Sequence, residues 1–157
     1  MTGCSTGLGR EIARIVHQAG QCIVATARDV NSLSYLPDDP KVLKISLDVT
    51  SKAAIKEAIA TTVKKFGRLD VAVNNAGYGL AGDTEVVPDE AARLEMETLF
   101  WGPVHVTQEV LPIFREVNPQ GGTIVNVSSI GGWLTFPGNA FYHAGYDRSP
   151  NRALAYI

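Results

Sequence analysis

Tyr142 and Ser129, thirteen positions apart, and a glycine-spaced run near the N-terminus are the residues whose types and spacing suit chemistry. In Thr2-Gly3-Cys4-Ser5-Thr6-Gly7-Leu8-Gly9, the glycines Gly3, Gly7 and Gly9 let backbone come close to a ligand, and a helical pattern opens directly after them. A glycine loop opening into a helix N-terminus suits a pyrophosphate, although a plain glycine turn has the same spelling. The run is not a Walker loop, because Arg10 follows Gly9 where Lys and Ser or Thr are needed. Gly3-Cys4-Ser5-Thr6-Gly7 also spells a hydrolase nucleophile elbow, with Ser5 as nucleophile. An elbow must end a central strand that has earlier strands beside it, yet only four residues precede Ser5. Nothing marks His17, His105 or His143 as its partner.

The elements that must position these residues alternate between helix and strand periodicity. Ile12, Ile15 and Val16 share one face of the first helix, which Gly20 stops. Cys22–Thr26 and Val42–Leu47 are short β-rich runs. Thr50 or Ser51 caps a helix striped by Ile55, Ala58, Ile59 and Val63 and closed by Gly67. Leu69–Val73 reads as the next strand, running into Asn74. A long helical stretch follows from about Asp89 to Glu116, with a kink expected at Gly102-Pro103. Thr123–Val127 then reads as a buried strand. Largely apolar strands alternating with helices predict an α/β fold, a parallel sheet with helices on both faces.

Composition narrows the class. The chain has 157 residues, 45% hydrophobic and 19% charged, which suits one soluble domain with a real core. Its net charge of −2, without a basic run, argues against a nucleic-acid partner. The apolar stretches fall short of the roughly 20 residues that span a bilayer. The N-terminus lacks the apolar region of a signal peptide, so a cytoplasmic location and no membrane partner are expected. Cys4 and Cys22 have no metal-type spacing and read as reduced thiols; no metal is expected. Asn126-Val127-Ser128 spells a glycosylation acceptor, but inside an apolar strand it carries no weight.

Further motifs fall in order at the strand ends: Asp48-Val49 after the second run, Asn74-Asn75-Ala76-Gly77 after the next, and Val127-Ser128-Ser129 before Tyr142. With these the chain resembles the short-chain dehydrogenase/reductase family from Thr2 to about Ala144. The resemblance implies a Rossmann-like, doubly wound sheet binding a nicotinamide cofactor beyond the strands' carboxyl ends. It implies that Gly3, Ser5, Thr6, Gly7, Leu8 and Gly9 form the phosphate loop, and that Asp48 and Val49 flank the adenine. Asn75, Ala76 and Gly77 would sit against adenine and its ribose. Ser129 would hold the oxygen of a small alcohol or carbonyl substrate, and Tyr142 would pass it a proton and border the cofactor. Each has a plainer alternative: Asp48 as a helix cap, Asn75–Gly77 as an ordinary turn, Ser129 as a turn cap, Tyr142 as a half-buried aromatic. An acidic residue after the second strand suits NAD, whereas Arg28 beside Ala27 suits a 2′-phosphate, so NADP(H) is expected; a solvated Arg28–Asp29 neighbourhood is the alternative.

Two positions depart from the family. It places Lys four residues after the tyrosine, where this chain has Tyr146, and commonly an Asn where this chain has Leu99. In the family that Lys lowers the pKa of a tyrosine phenol from its usual value of about 10. Arg148, six residues on, lies well round the helix and is no substitute. Only Met1 and Thr2 stand for the strand that leads into the glycine loop, so strand and C-terminal segments are expected to be missing and amides in the sheet unpaired. Residues 145–157 lose the resemblance, and Pro150 would break a continuing helix. The abrupt change predicts an unspliced intron or shifted frame from about Gly145, with Met1 an internal start. Two functions follow. One is an NADP-dependent alcohol/carbonyl oxidoreductase, inactive as this fragment and homo-oligomeric through the Asp89–Glu116 helix when intact; the other is a non-catalytic nucleotide-binding or dimerising pseudoenzyme.

Overall fold

The structure, a computed structural model, describes residues 1–116 and 119–147; Arg148 and Pro150 lie outside the described residues. In chain order the elements are α1 (Gly7–Gln18), β1 (Ile23–Ala27), β2 (Val42–Ser46), α2 (Lys52–Phe66), β3 (Val71–Asn74), α3 (Asp89–Met96), α4 (Gly102–Glu116), β4 (Thr123–Asn126) and α5 (Ala140–Asp147). Pairing is parallel throughout: β1 with β2, starting at Ile23 opposite Val42, and β3 with β4, starting at Val71 opposite Thr123.

Residues 1–4 join the two pairs. Met1 N donates to Val24 O at 2.8 Å, and Met1 O accepts from Thr26 N at 3.1 Å. Cys4 N donates to Thr26 O at 2.8 Å, and on the other side Thr2 N donates to Val73 O at 2.9 Å. The spatial order is therefore β2, β1, residues 1–4, β3, β4. The ladder runs through Cys4, two residues further than Met1 and Thr2, and it leaves β1 and β3 bonded across the seam. All the carboxyl ends point to one edge, which is where open α/β sheets bind ligands.

Two apolar clusters flank the strands. Cys4, Ala13, Ala25, Leu33 and Leu36 anchor one, and Leu47, Val49, Ile55, Ala72, Val110 and Phe114 anchor the other, between the sheet and helices α2 and α4. Periodicity places Ile15 on the inner face of α1, but Ile15 is 55% exposed and the buried positions are Gly9 and Ala13. Small residues let that helix lie close to the strands, which turns the bulkier Ile15 outward. Helix α2 follows its predicted limits: the Ser51 side chain accepts from Ala54 N at 3.3 Å, and Gly67 closes it at φ +75°. Thr62 completes its buried stripe by donating its hydroxyl to Ala58 O. Strand β4 is half exposed rather than buried, because its alternate residue Val125 faces away from the cluster under Ala72.

The long helical stretch exists, and its irregularity lies just before Gly102-Pro103. Glu97–Trp101 is a π turn, in which Gly102 N donates to Glu97 O. A side chain at Gly102 would put its Cβ 3.0 Å from Val49 Cγ2, so glycine lets this helix rest directly on the turn that follows β2.

Candidate cofactor and active site

The glycine loop is held from the neighbouring strand. Thr2, buried, accepts at Oγ1 from both Asn75 N and Ala76 N at 3.0 Å. The Asn75 side-chain amide donates to Thr2 O at 3.0 Å and to Gly3 O at 2.9 Å. Both amide hydrogens of Asn75 are thus engaged by the loop, and the turn after β3 serves as its brace. A Cβ on Gly9 would sit 2.2 Å from Gly3 O, and one on Gly3, at φ +69°, would sit 2.8 Å from Ala76 Cα. Contacts that close exclude any other residue.

Gly7 differs. Its φ is +56°, yet nothing lies within 4 Å of where its Cβ would be. Thr6 is the extended N-cap of α1, and its side chain makes no capping bond. Arg10 N, bonded to Thr6 O at 3.2 Å, makes the first helical bond, so the amides ahead of it point out of the helix end. Ser5 is half-buried, and Thr6 and Leu8 are exposed around this end. An uncapped helix N-terminus under open glycine backbone can hold a phosphate group.

Arg28, just past β1, is exposed, and no hydrogen bond or ion pair among the described residues engages its guanidinium. Asp29 beside it is also exposed, and its carboxylate accepts from Asn31 N at 3.0 Å and caps a short turn. Asp48, past β2, is exposed and accepts at Oδ1 from Thr50 N and Thr50 Oγ1, at 2.9 and 2.8 Å. It does not cap α2, a role that Ser51 takes, and Val49 is buried against Gly102.

Ser129 opens a short turn, Ile130–Gly132, and its Oγ accepts from Gly131 N at 3.1 Å. A Cβ on Gly131 would be 2.7 Å from Tyr142 Cε1, so the serine turn lies directly against the tyrosine ring. The sequence-predicted pair is brought to one place. Next to it stand both departures: the Tyr146 ring meets that of Tyr142 edge-on, and a Cβ on Gly77 would be 2.9 Å from both Tyr146 Oη and Leu99 Cδ2. Burial, and then the neighbouring Tyr142 phenol, push the Tyr146 phenol up to about 12.

The histidines have other partners than Ser5: His17 meets Asp39 at 3.3 Å, His105 stacks on Trp101, and His143 bonds Gly131 and Phe136. No triad forms around Ser5 among the described residues. Nor do three or more metal-ligating side chains cluster there, and no helix among them is long and apolar enough to cross a membrane.

Two features near the site have no sequence prediction. Glu95, fully buried on α3, accepts from Leu80 N at 2.7 Å while its Oε2 has no partner, and burial raises its pKa. Its signal was present: Ala92, Glu95 and Leu99 share one helical face, all buried. The other is a cross-strand bond, Asn74 Nδ2 to Asn126 Oδ1 at 2.7 Å, where β3 and β4 end.

Residues 1–145 match the family model described as short chain dehydrogenase. The chain is 47% identical over 150 residues to the oxidoreductase calM of Penicillium decumbens, covering 92% of this chain and 49% of that protein. To a 3-ketodihydrosphingosine reductase of Bacteroides thetaiotaomicron it is 33% identical over 144 residues, covering 92% and 51%. Among solved structures, a short-chain dehydrogenase from Streptomyces avermitilis superposes with a TM-score of 0.85 at 37% identity, covering 93% of this chain and 54% of that one. A 3-ketoacyl-(acyl-carrier-protein) reductase from Brucella melitensis, complexed with NADH, superposes at 0.87 with 27% identity, covering 93% and 62%. The chain spans about half the length of the curated relatives it matches.

Proposed function

The chain belongs to the short-chain dehydrogenase family, and we propose that it carries the nucleotide-binding loop and the Ser129–Tyr142 pair of an NADP-dependent oxidoreductase interconverting an alcohol and a carbonyl. The observation that carries this reading is the packing of the Ser129 turn against the Tyr142 ring, on the same sheet edge as the glycine loop.

The residues fit the cofactor. The uncapped start of α1, beneath the open face of Gly7, receives the pyrophosphate, with Gly3, Ser5, Thr6, Leu8 and Gly9 shaping the loop. Arg28 holds the 2′-phosphate, for which a guanidinium gives paired, charge-assisted hydrogen bonds. Asp48 and Val49 border the adenine, and Asn75, Ala76 and Gly77 its ribose. When bound, the nicotinamide supplies or accepts the hydride. Ser129 Oγ holds the substrate oxygen, and the Tyr142 hydroxyl gives that oxygen its proton in reduction and takes one in oxidation. Neither step needs a metal or a nucleic-acid or membrane partner. A cytoplasmic location and a homo-oligomer paired along α3 and α4 belong to the same reading.

A second reading, a nucleotide-binding or dimerising protein without turnover, is supported by Tyr146 and Leu99 packing on Gly77 where a cation and an amide would serve the phenol. Calorimetry with NADPH and NADH tests the first reading. Tighter NADPH binding that falls by about tenfold or more in Arg28→Ala is expected, from the loss of a charged hydrogen-bond pair. Equal affinities, unchanged by the substitution, overturn the choice of NADP. NADPH binding without oxidation on any ketone selects the second reading.

A further inference from the structure

His143 follows the reacting tyrosine directly and is buried on α5 with a contact at each ring nitrogen. Nδ1 lies 2.8 Å from Gly131 O, and Phe136 N donates to Nε2 at 2.8 Å. A carbonyl can only accept, so Nδ1 must carry a hydrogen; an amide N–H can only donate, so Nε2 must keep its lone pair. One protonation state meets both demands: the neutral ring with hydrogen on Nδ1. Phe136 O, 3.2 Å from Nε2, is the longer contact and offers no hydrogen.

The two bonds hold both ends of one segment. Gly131 is squeezed between the Tyr142 ring and His143 Nδ1, with its Cβ direction 2.7 Å from Tyr142 Cε1 and 3.1 Å from Nδ1. The same Gly131 donates to Ser129 Oγ. Phe136, at the other end, also lays its ring beside the imidazole, with centroids 5.7 Å apart. Ser129, Gly131, His143 and Tyr142 therefore form one connected unit, in which the imidazole ties the serine turn to the helix that carries the tyrosine.

We propose that His143, as the neutral Nδ1–H tautomer, is a positioning residue that sets the Ser129 turn against the Tyr142 ring. The role rests on reading Ser129 and Tyr142 as the reacting pair. It needs no cofactor to form.

The test is nuclear magnetic resonance of the full chain, isotope-labelled. The parent is expected to show His143 with hydrogen on Nδ1 and a bare Nε2, together with a slowly exchanging Phe136 amide. His143→Leu removes both bonds, so Phe136 exchange quickens by about five- to tenfold, as for one lost hydrogen bond, and the Gly131 amide and Tyr142 ring signals move. The midpoint at which the Tyr142 phenol titrates, followed at its Cζ carbon, changes with them. His143→Gln supplies an acceptor where Nε2 was and restores Phe136 protection; His143→Asn supplies a donor where Nδ1 was and restores the Gly131 signal. If His143→Leu does not fold, these two variants decide the matter by their separate halves. Hydrogen on Nε2, an imidazolium, or a Tyr142 titration indifferent to all three substitutions overturns the proposal. Failure of the parent to bind NADPH sinks the functional reading instead, while tautomer and exchange still decide the clamp.

Discussion

The rings of Tyr142 and Tyr146 meet at 67° with centroids 4.8 Å apart, one helical turn from each other on α5. The second phenol brings no positive charge to the first. An ammonium at that position would favour the phenolate form of a neighbouring phenol.

Tyr146→Lys combined with Leu99→Asn is therefore expected to gain NADPH-dependent ketone reduction over the parent, on the order of a hundredfold or more, the usual range for placing a general acid–base group. Absorbance at the reduced-nicotinamide band measures it. Unchanged rates in a double variant that still binds NADPH would falsify the view that these two positions hold back the chemistry.

The loop glycines separate into two kinds. Gly9→Ala drives a methyl into Gly3 O and the Asn75 amide, and should cost about 1–3 kcal/mol of stability as well as NADPH binding. Gly7→Ala meets no atom and pays only for its positive φ, about 1 kcal/mol. Thermal unfolding of the two variants beside the parent ranks them, and the reverse order would refute the packing described for the loop.

Asn75→Ala removes both hydrogen bonds that its side chain gives to Thr2 O and Gly3 O. A loss of about 1–3 kcal/mol is expected from stranding partly buried carbonyls, with NADPH binding weakened in step. Asn75→Asp should be no better, since a carboxylate repels the same carbonyls. A stable Asp variant with intact binding is the outcome that counts against the brace.

Glu95 makes stability depend on pH. Burial raises its pKa, so the fold prefers the neutral acid; its stabilising share is whole below the ordinary glutamate value and is lost as pH rises through the raised one. Glu95→Gln keeps an acceptor for Leu80 N and never ionises. Relative to the parent, that variant should gain about 1 kcal/mol or more between pH 4 and 7, from removing an unpaired buried charge. Melting temperatures across that range check it, and parallel curves for the two proteins are the contrary result.

Much of the architecture was legible because local rules agree with the fold. Ser51 and Gly67 bound α2 as cap chemistry requires, and the apolar runs fell within a residue or two of the strands. The readings that missed concern neighbours far along the chain. Periodicity groups Ile15 with Ile12 and Val16, but which flank of α1 touches the strands is set by Gly9 and Ala13, small enough for close approach. The π turn at Glu97–Trp101 belongs to a stretch whose composition reads as ordinary helix. Asn75 and Ser129 stood out by their motifs, but their hydrogen-bond partners did not, since Asn75 bonds residues more than 70 positions away. The tautomer of His143 depends on atoms of the 131–136 turn, which no spacing rule reports.

The bonds from Thr2 to Val73, Asn75 and Ala76 have a consequence for biosynthesis. The glycine loop leaves the ribosome before the residues that brace it, which are made more than 70 positions later. At roughly 5–20 residues per second, the loop waits several seconds for its partner strand. During that interval Thr2 has no strand β3 to bond, and residues 1–4 form an open edge beside β1. Any helper that shields this nascent segment would have to let go as Asn75 emerges. Stalling synthesis just before residue 71 should yield a chain whose N-terminal loop is cut readily by added protease, and stalling well past β3 should protect it.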